Sequence, residues 1–281
     1  MTDTILTQTE FNSRVQRAQS VLAKTDLDAF LVFSTESEPA GVRYFSDYWP
    51  SFETAGVLIP RSGEAALIIG PESLTYATSR SKLATVIQTM DFRESSQPDY
   101  PGSAHPDWQA IMKRFSVKKL GITGFHMFPY TIMVNIAEAL GGIQNIVNAD
   151  AILRPVFMKK SALELDCLRK SAKISELGFK AVLENIKPGM TEAELCGIAT
   201  AAMLANGAEA TGYPVWCCAP ALSRVSPVRP RLILRSFANI CRKHALTDLV
   251  HLHIQEKREH LHTILKIRSM SRQSRTAVTL L

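Results

Sequence analysis

The order of apolar runs predicts an α/β fold with a mixed sheet in a first domain spanning residues 1–155. Three observations carry this. Short apolar runs alternate with segments of helical period from residue 9 to residue 153. One pair of runs, 55–59 and 64–69, flanks Pro60-Arg-Ser-Gly63 in the pattern of a hairpin, which puts an antiparallel pair into the sheet. Beyond residue 156 the pattern changes: Ser161-Ala-Leu-Glu164 and Thr191-Glu-Ala-Glu194 are two capping boxes, each opening a helix.

Taken in order, residues 9–24 read as an amphipathic helix, because Phe11, Val15, Ala18 and Leu22 repeat at three- and four-residue steps. Residues 27–33 form a buried strand. The hairpin follows, then a helix over 73–83 and a short strand over 85–89. Residues 91–106 are rich in Pro, Ser and Asp and read as a surface loop. A helix over 107–115 leads to a strand over 119–123, a helix over 129–140, and a return to strand over 145–153. Lys159-Lys160 then reads as a solvated hinge. In the second stretch Leu165, Leu168, Ala172, Phe179, Val182, Leu183 and Ile186 line one helical face until Pro188-Gly189 stops it. Leu195, Ile198, Ala199, Ala202 and Met203 line the next helix, which Asn206-Gly207 terminates. A strand begins at Gly212.

The chain changes character near Ala219. Residues 1–219 carry 20 Lys and Arg against 23 Asp and Glu, whereas residues 220–281 carry 12 against 3, with five of the seven histidines and no glycine. The overall charge of +6 therefore averages a mildly acidic body with a strongly basic tail. The composition is that of a globular protein. Five cysteines without framework spacing suit a reducing compartment, and residues 1–10 lack the basic and apolar regions of a secretory signal, so a cytoplasmic protein is expected. No run of about 18 apolar residues is present, so no membrane association is expected.

Particular residues add a family resemblance. Arg17, residues 27–32 (Leu-Asp-Ala-Phe-Leu-Val) and residues 42–47 (Val-Arg-Tyr-Phe-Ser-Asp) carry it in the first domain. Residues 158–161 (Met-Lys-Lys-Ser), Glu164, Leu168, Arg169, Ala172, residues 186–192 (Ile-Lys-Pro-Gly-Met-Thr-Glu) and Glu194-Leu195 carry it in the second. Over residues 10–219 the chain resembles the creatinase, prolidase and aminopeptidase P family of pita-bread metallohydrolases. The resemblance implies a creatinase-type N-terminal mixed-sheet domain (1–155), then the opening helices and first strand of an incomplete α+β pita-bread domain (156–219). It also implies hydrolysis of a bond beside a proline nitrogen, or a related C–N bond. Two divalent metals of the Mn, Co or Zn type, held by two Asp, one His and two Glu, would supply the activated water. Association through the N-terminal domain, as a homodimer or with a relative, is implied as well.

All five ligands belong after the strand that starts at Gly212. The Asp that follows Asp166 is Asp248, with no glycine near it, and residues 213–281 contain none of the glycines a curved antiparallel sheet uses at its bends. The segment 220–281 therefore reads as an aberrant basic tail without family match. No catalytic residue, metal ligand or cofactor is expected in this chain. His251, His253, Glu256 and His260 are better read as a polar tail than as a metal site. The tail's arginines suffice for nonspecific phosphate contact, but Phe237 is its one aromatic and no nucleic-acid motif is present. Tyr44, Trp49 and Trp216 are the candidates for bordering a substrate cleft, against core or interface packing. His105 and His126 read as surface histidines. The expectation is a truncated or frame-disrupted Xaa-Pro peptidase relative without catalytic activity. The alternatives are a pseudo-enzyme acting through its N-terminal domain, or an active metal-dependent Xaa-Pro hydrolase.

Overall fold

Thr7 starts the first helix: its hydroxyl accepts the amide of Glu10 at 3.3 Å, and α1 (Gln8–Leu22) buries Phe11, Val15, Ala18 and Leu22. The strand that follows, β1 (Ala29–Ser34), is buried at every residue. A run without polar alternation suits a strand covered on both faces. The structure is a computed structural model and describes residues 6–100, 105–187, 190–218 and 279–280. It divides into two units, Met1–Leu163 and Glu164–Leu281.

The first unit holds a six-stranded mixed sheet. β2 (Ala55–Pro60) and β3 (Ala66–Ile69) form the predicted hairpin, with Gly63 at φ +85° in its turn. β4 (Thr85–Gln88), β5 (Leu120–Thr123) and β6 (Ile146–Asn148) complete the order β4-β3-β2-β1-β5-β6. β1 pairs antiparallel with β2 and parallel with β5; β3–β4 and β5–β6 are parallel. Helices α2 (Ala40–Ser46), α3 (Leu74–Arg80), α4 (Trp108–Arg114), α5 (Tyr130–Leu140) and α6 (Asp150–Met158) cover it. One core joins α1, α2, α3 and α6 to Phe30, Val32, Val57, Ile59 and Leu67. The other joins α4 and α5 to Leu31, Phe33, Leu58, Ile68 and Ile122. Strand alternation sends successive side chains to these two cores.

Two elements differ from the sequence reading. The strand expected over 145–153 ends at Asn148, and α6 takes its place. The Asn148 side chain accepts the amide of Asp150 at 3.0 Å, and Leu153 and Val156 reach the core one turn apart. Pro155 lies inside α6 and hides its helical signal, because proline removes a backbone donor. Residues 42–47, quoted for the resemblance without an assigned element, form most of α2, whose end is Asp47 at φ +59°.

In the second unit, α7 (Ala162–Asn185) precedes α8 (Glu192–Ala205). The capping box at Thr191 and Glu194 is present. Hydrogen bonds from the Thr191 amide (2.6 Å) and hydroxyl (2.8 Å) hold the Glu194 carboxyl below its ordinary pKa. Gly178 permits close helix approach: a Cβ there would lie 2.8 Å from Met203 Cγ and 3.2 Å from the Ala199 carbonyl. Val182, Leu195, Ala199 and Cys217 form a small core. The stripe expected on α7 is buried at Val182, while Leu165, Phe179, Leu183 and Ile186 are exposed. The strand expected from Gly212 is confined to β7 (Cys217–Cys218), paired antiparallel with β8 (Thr279–Leu280). The basic tail, apart from the backbone of β8, and with it Phe237, Asp248 and the His251–Glu256–His260 group, lies outside the described residues.

Candidate functional site

The most developed polar arrangement in the first unit is built on α1. Glu10 and Arg14 stand four residues apart on one helix, a spacing that brings side chains together. Both are buried, and Arg14 Nε donates to Glu10 Oε1 at 3.2 Å. Arg14 Nη1 donates to the Tyr44 carbonyl at 2.8 Å. Its guanidinium lies 4.9 Å from the Phe11 ring centroid and 4.4 Å from that of Tyr44. Arg17 Nη2 donates to the Tyr44 hydroxyl at 2.7 Å, and that hydroxyl donates to the Val156 carbonyl at 3.2 Å. Ser161 Oγ donates to Glu10 Oε1 at 3.0 Å. Arg17, Tyr44 and Ser161, three carriers of the sequence resemblance, thus meet in one network.

Of the three cleft candidates, Tyr44 packs its ring against Phe45 at 5.0 Å and Phe157 at 4.9 Å and commits its hydroxyl to this network. Trp49 is half-buried, with the Arg43 guanidinium 4.7 Å from its ring centroid. Arg43 and Arg80 both face the Asp47 carboxylate, at 3.9 and 3.7 Å. Trp216 is half-buried in the second unit. His126 is exposed and lies 3.6 Å from Glu38.

A second polar centre lies at the start of α3 and was not foreseen in the sequence. Glu53 is 1% exposed and accepts the amides of Glu72 (3.2 Å) and Ser73 (3.0 Å) together with the Ser73 hydroxyl. Gly70 makes room for it, since a Cβ there would fall 2.2 Å from Oε1. Burial raises the Glu53 carboxyl above its ordinary pKa, the Ser73 hydroxyl and the two amides oppose this, and the Glu72 charge adds to it. A pKa raised in the folded state makes a contribution to stability that is fully present below the unfolded carboxylate value and lost as pH rises through the folded one. Glu53→Gln, which cannot ionise, is expected to flatten the decline of unfolding free energy just above the ordinary glutamate range. Urea titrations at closely spaced pH values check this, and parallel profiles for the two proteins would refute it.

Among the described residues no three His, Cys, Asp or Glu side chains converge where they could hold a metal ion, so the family's two-metal centre does not fit these residues. Among them, too, no helix is long and apolar enough to cross a membrane.

Comparison with known proteins places these features. The Creatinase/Prolidase N-terminal domain matches residues 14–156, and metallopeptidase family M24 matches residues 166–231, running past the Ala219 break. Among curated proteins none is matched by sequence. Prolidase from Pyrococcus horikoshii OT3 superposes with a TM-score of 0.58 at 20% identity, over 76% of this chain and 55% of that one. X-Pro aminopeptidase from Thermotoga maritima MSB8 gives 0.58 at 20% identity, over 73% and 52%. Dipeptidase PepE from Mycobacterium ulcerans gives 0.54 at 19%, over 76% and 54%. The chain spans about half the length of these solved structures, and at such identities the likeness is one of fold. With the first domain's match extending over half of its residues, the chain belongs to the creatinase/prolidase family.

Proposed function

We propose that this chain derives from an Xaa-Pro peptidase lineage, is catalytically silent, and acts by association through its N-terminal domain. The observation that supports silence is the composition after Gly212: residues 213–281 contain no glycine, and their acids are Asp248, Glu256 and Glu259. A two-metal site needs several carboxylates converging on a point, and a curved sheet to carry them needs glycine at its bends. A reading-frame disruption downstream of Ala219 accounts for the simultaneous loss of glycine and acids. Translating the other two frames of that region would then yield Asp- and Gly-rich pita-bread sequence.

The experiment is hydrolysis of an Xaa-Pro dipeptide by the purified full chain with added Mn²⁺, Co²⁺ or Zn²⁺. The expected result is no metal-stimulated turnover, with a dimer on light scattering. Turnover abolished by a chelator and restored by metal would overturn the proposal. It would favour an active metal-dependent hydrolase instead.

A further inference from the structure

We infer that the joint between α6 and α7 is a latch, held shut by the Ser161 hydroxyl on the buried Glu10 carboxylate. Four contacts converge on it, three of them from elements far apart in the chain. The Tyr44 hydroxyl grips the Val156 carbonyl in the last turn of α6 at 3.2 Å. The Phe157 ring stands edge-on to Tyr44 at 4.9 Å and Phe45 at 5.7 Å. Lys160 Nζ folds back to the Phe157 carbonyl at 2.8 Å. Ser161 Oγ, 151 residues from its acceptor, reaches Glu10 Oε1 at 3.0 Å.

Glu10 is a buried anchor. It is 8% exposed, and Arg14 clamps it at 3.2 Å while donating in turn to the Tyr44 carbonyl. The circuit therefore runs from α1 to α2, to the end of α6, to the joint, and back to α1. A hydroxyl donating to a carboxylate buried beside a guanidinium makes a stronger bond than one exposed to water. The dibasic Lys159-Lys160, which sequence alone reads as a solvated hinge, is bracketed by two of these ties. Cutting it requires the segment to open locally, and the latch sets the cost of that opening.

Limited trypsinolysis of the full chain, with peptides quantified by mass spectrometry, tests this. Ser161→Ala is expected to raise the rate of cleavage after Lys159 and Lys160 about tenfold, with cleavage after Lys113 and Lys118 unchanged. Ser161→Thr, which keeps the hydroxyl, should stay within about twofold of the parent. The proposal is overturned if Ser161→Ala is cut at the joint at the parent rate. It is equally overturned if the alanine variant is cut faster at all four sites alike, or if threonine is as labile as alanine.

Discussion

Arg14→Met is expected to lower the unfolding free energy of the first unit by about 3–5 kcal/mol, the usual cost of removing one partner from a buried ion pair. The substitution keeps an unbranched side chain of similar reach and removes the charge. Glu10 would then remain buried with the Ser161 hydroxyl and with Arg17, whose Nη2 is 3.9 Å away and whose side chain is 32% exposed. The Tyr44 carbonyl would lose a donor at 2.8 Å, and the Phe11 and Tyr44 rings would lose the cation between them. The loss comes chiefly from the stranded carboxylate, so a second change that removes it should restore much of the stability. Glu10→Leu/Arg14→Met is accordingly expected to be more stable than Arg14→Met alone. Urea unfolding followed by fluorescence in a Trp216→Phe background reads the first unit through Trp49 and Trp108. A double variant as unstable as the sum of its single changes would show that the two charges are not coupled.

The sheet was largely legible in the sequence, and the polar centres were not. Runs such as 29–33 and 66–69 announce their strands by uninterrupted apolar residues, because both faces are covered. The hairpin turn carries Gly63, and α8 carries its capping box. By contrast, α6 was obscured by Pro155, whose ring is compatible with the helix only at the cost of a backbone bond. Glu10 and Arg14 look like ordinary solvated residues on an amphipathic helix. The one available signal is their i, i+4 spacing beside the apolar stripe, and it becomes informative only once α2 and residue 161 are packed there.

Glu53 gives no local signal at all, since its partners lie nineteen and twenty residues later, beyond an intervening hairpin. Motif reading drew attention to Tyr44 and left a cleft border or core packing as its setting. In the structure its ring and hydroxyl are spent on the α1–α2–α6 network. The residue type was readable, whereas its role depends on long-range contacts that only the sheet topology creates.

Phe33→Ala is expected to cost about 3–5 kcal/mol, the range for truncating a buried aromatic. Phe33 lies near the end of β1, is 2% exposed, and points into the core shared with α4 and α5. Its ring contacts Phe128 at 4.7 Å and Phe92 at 5.7 Å, and Phe92 continues to Trp108 at 5.5 Å. That aromatic row is fixed at its far end by Asp91, which accepts from Trp108 Nε1 at 2.7 Å and from Asn135 Nδ2 at 2.8 Å. Because Asp91 ties the loop before α4 to α5, the surroundings cannot collapse freely into the space left by the ring, which places the cost toward the upper part of the range. Phe33→Leu fills most of that space and should cost under about 1.5 kcal/mol. Urea unfolding in the same Trp216→Phe background measures both. An alanine variant within about 1 kcal/mol of the parent would mean that the row relaxes around the void, and that Asp91 does not hold it.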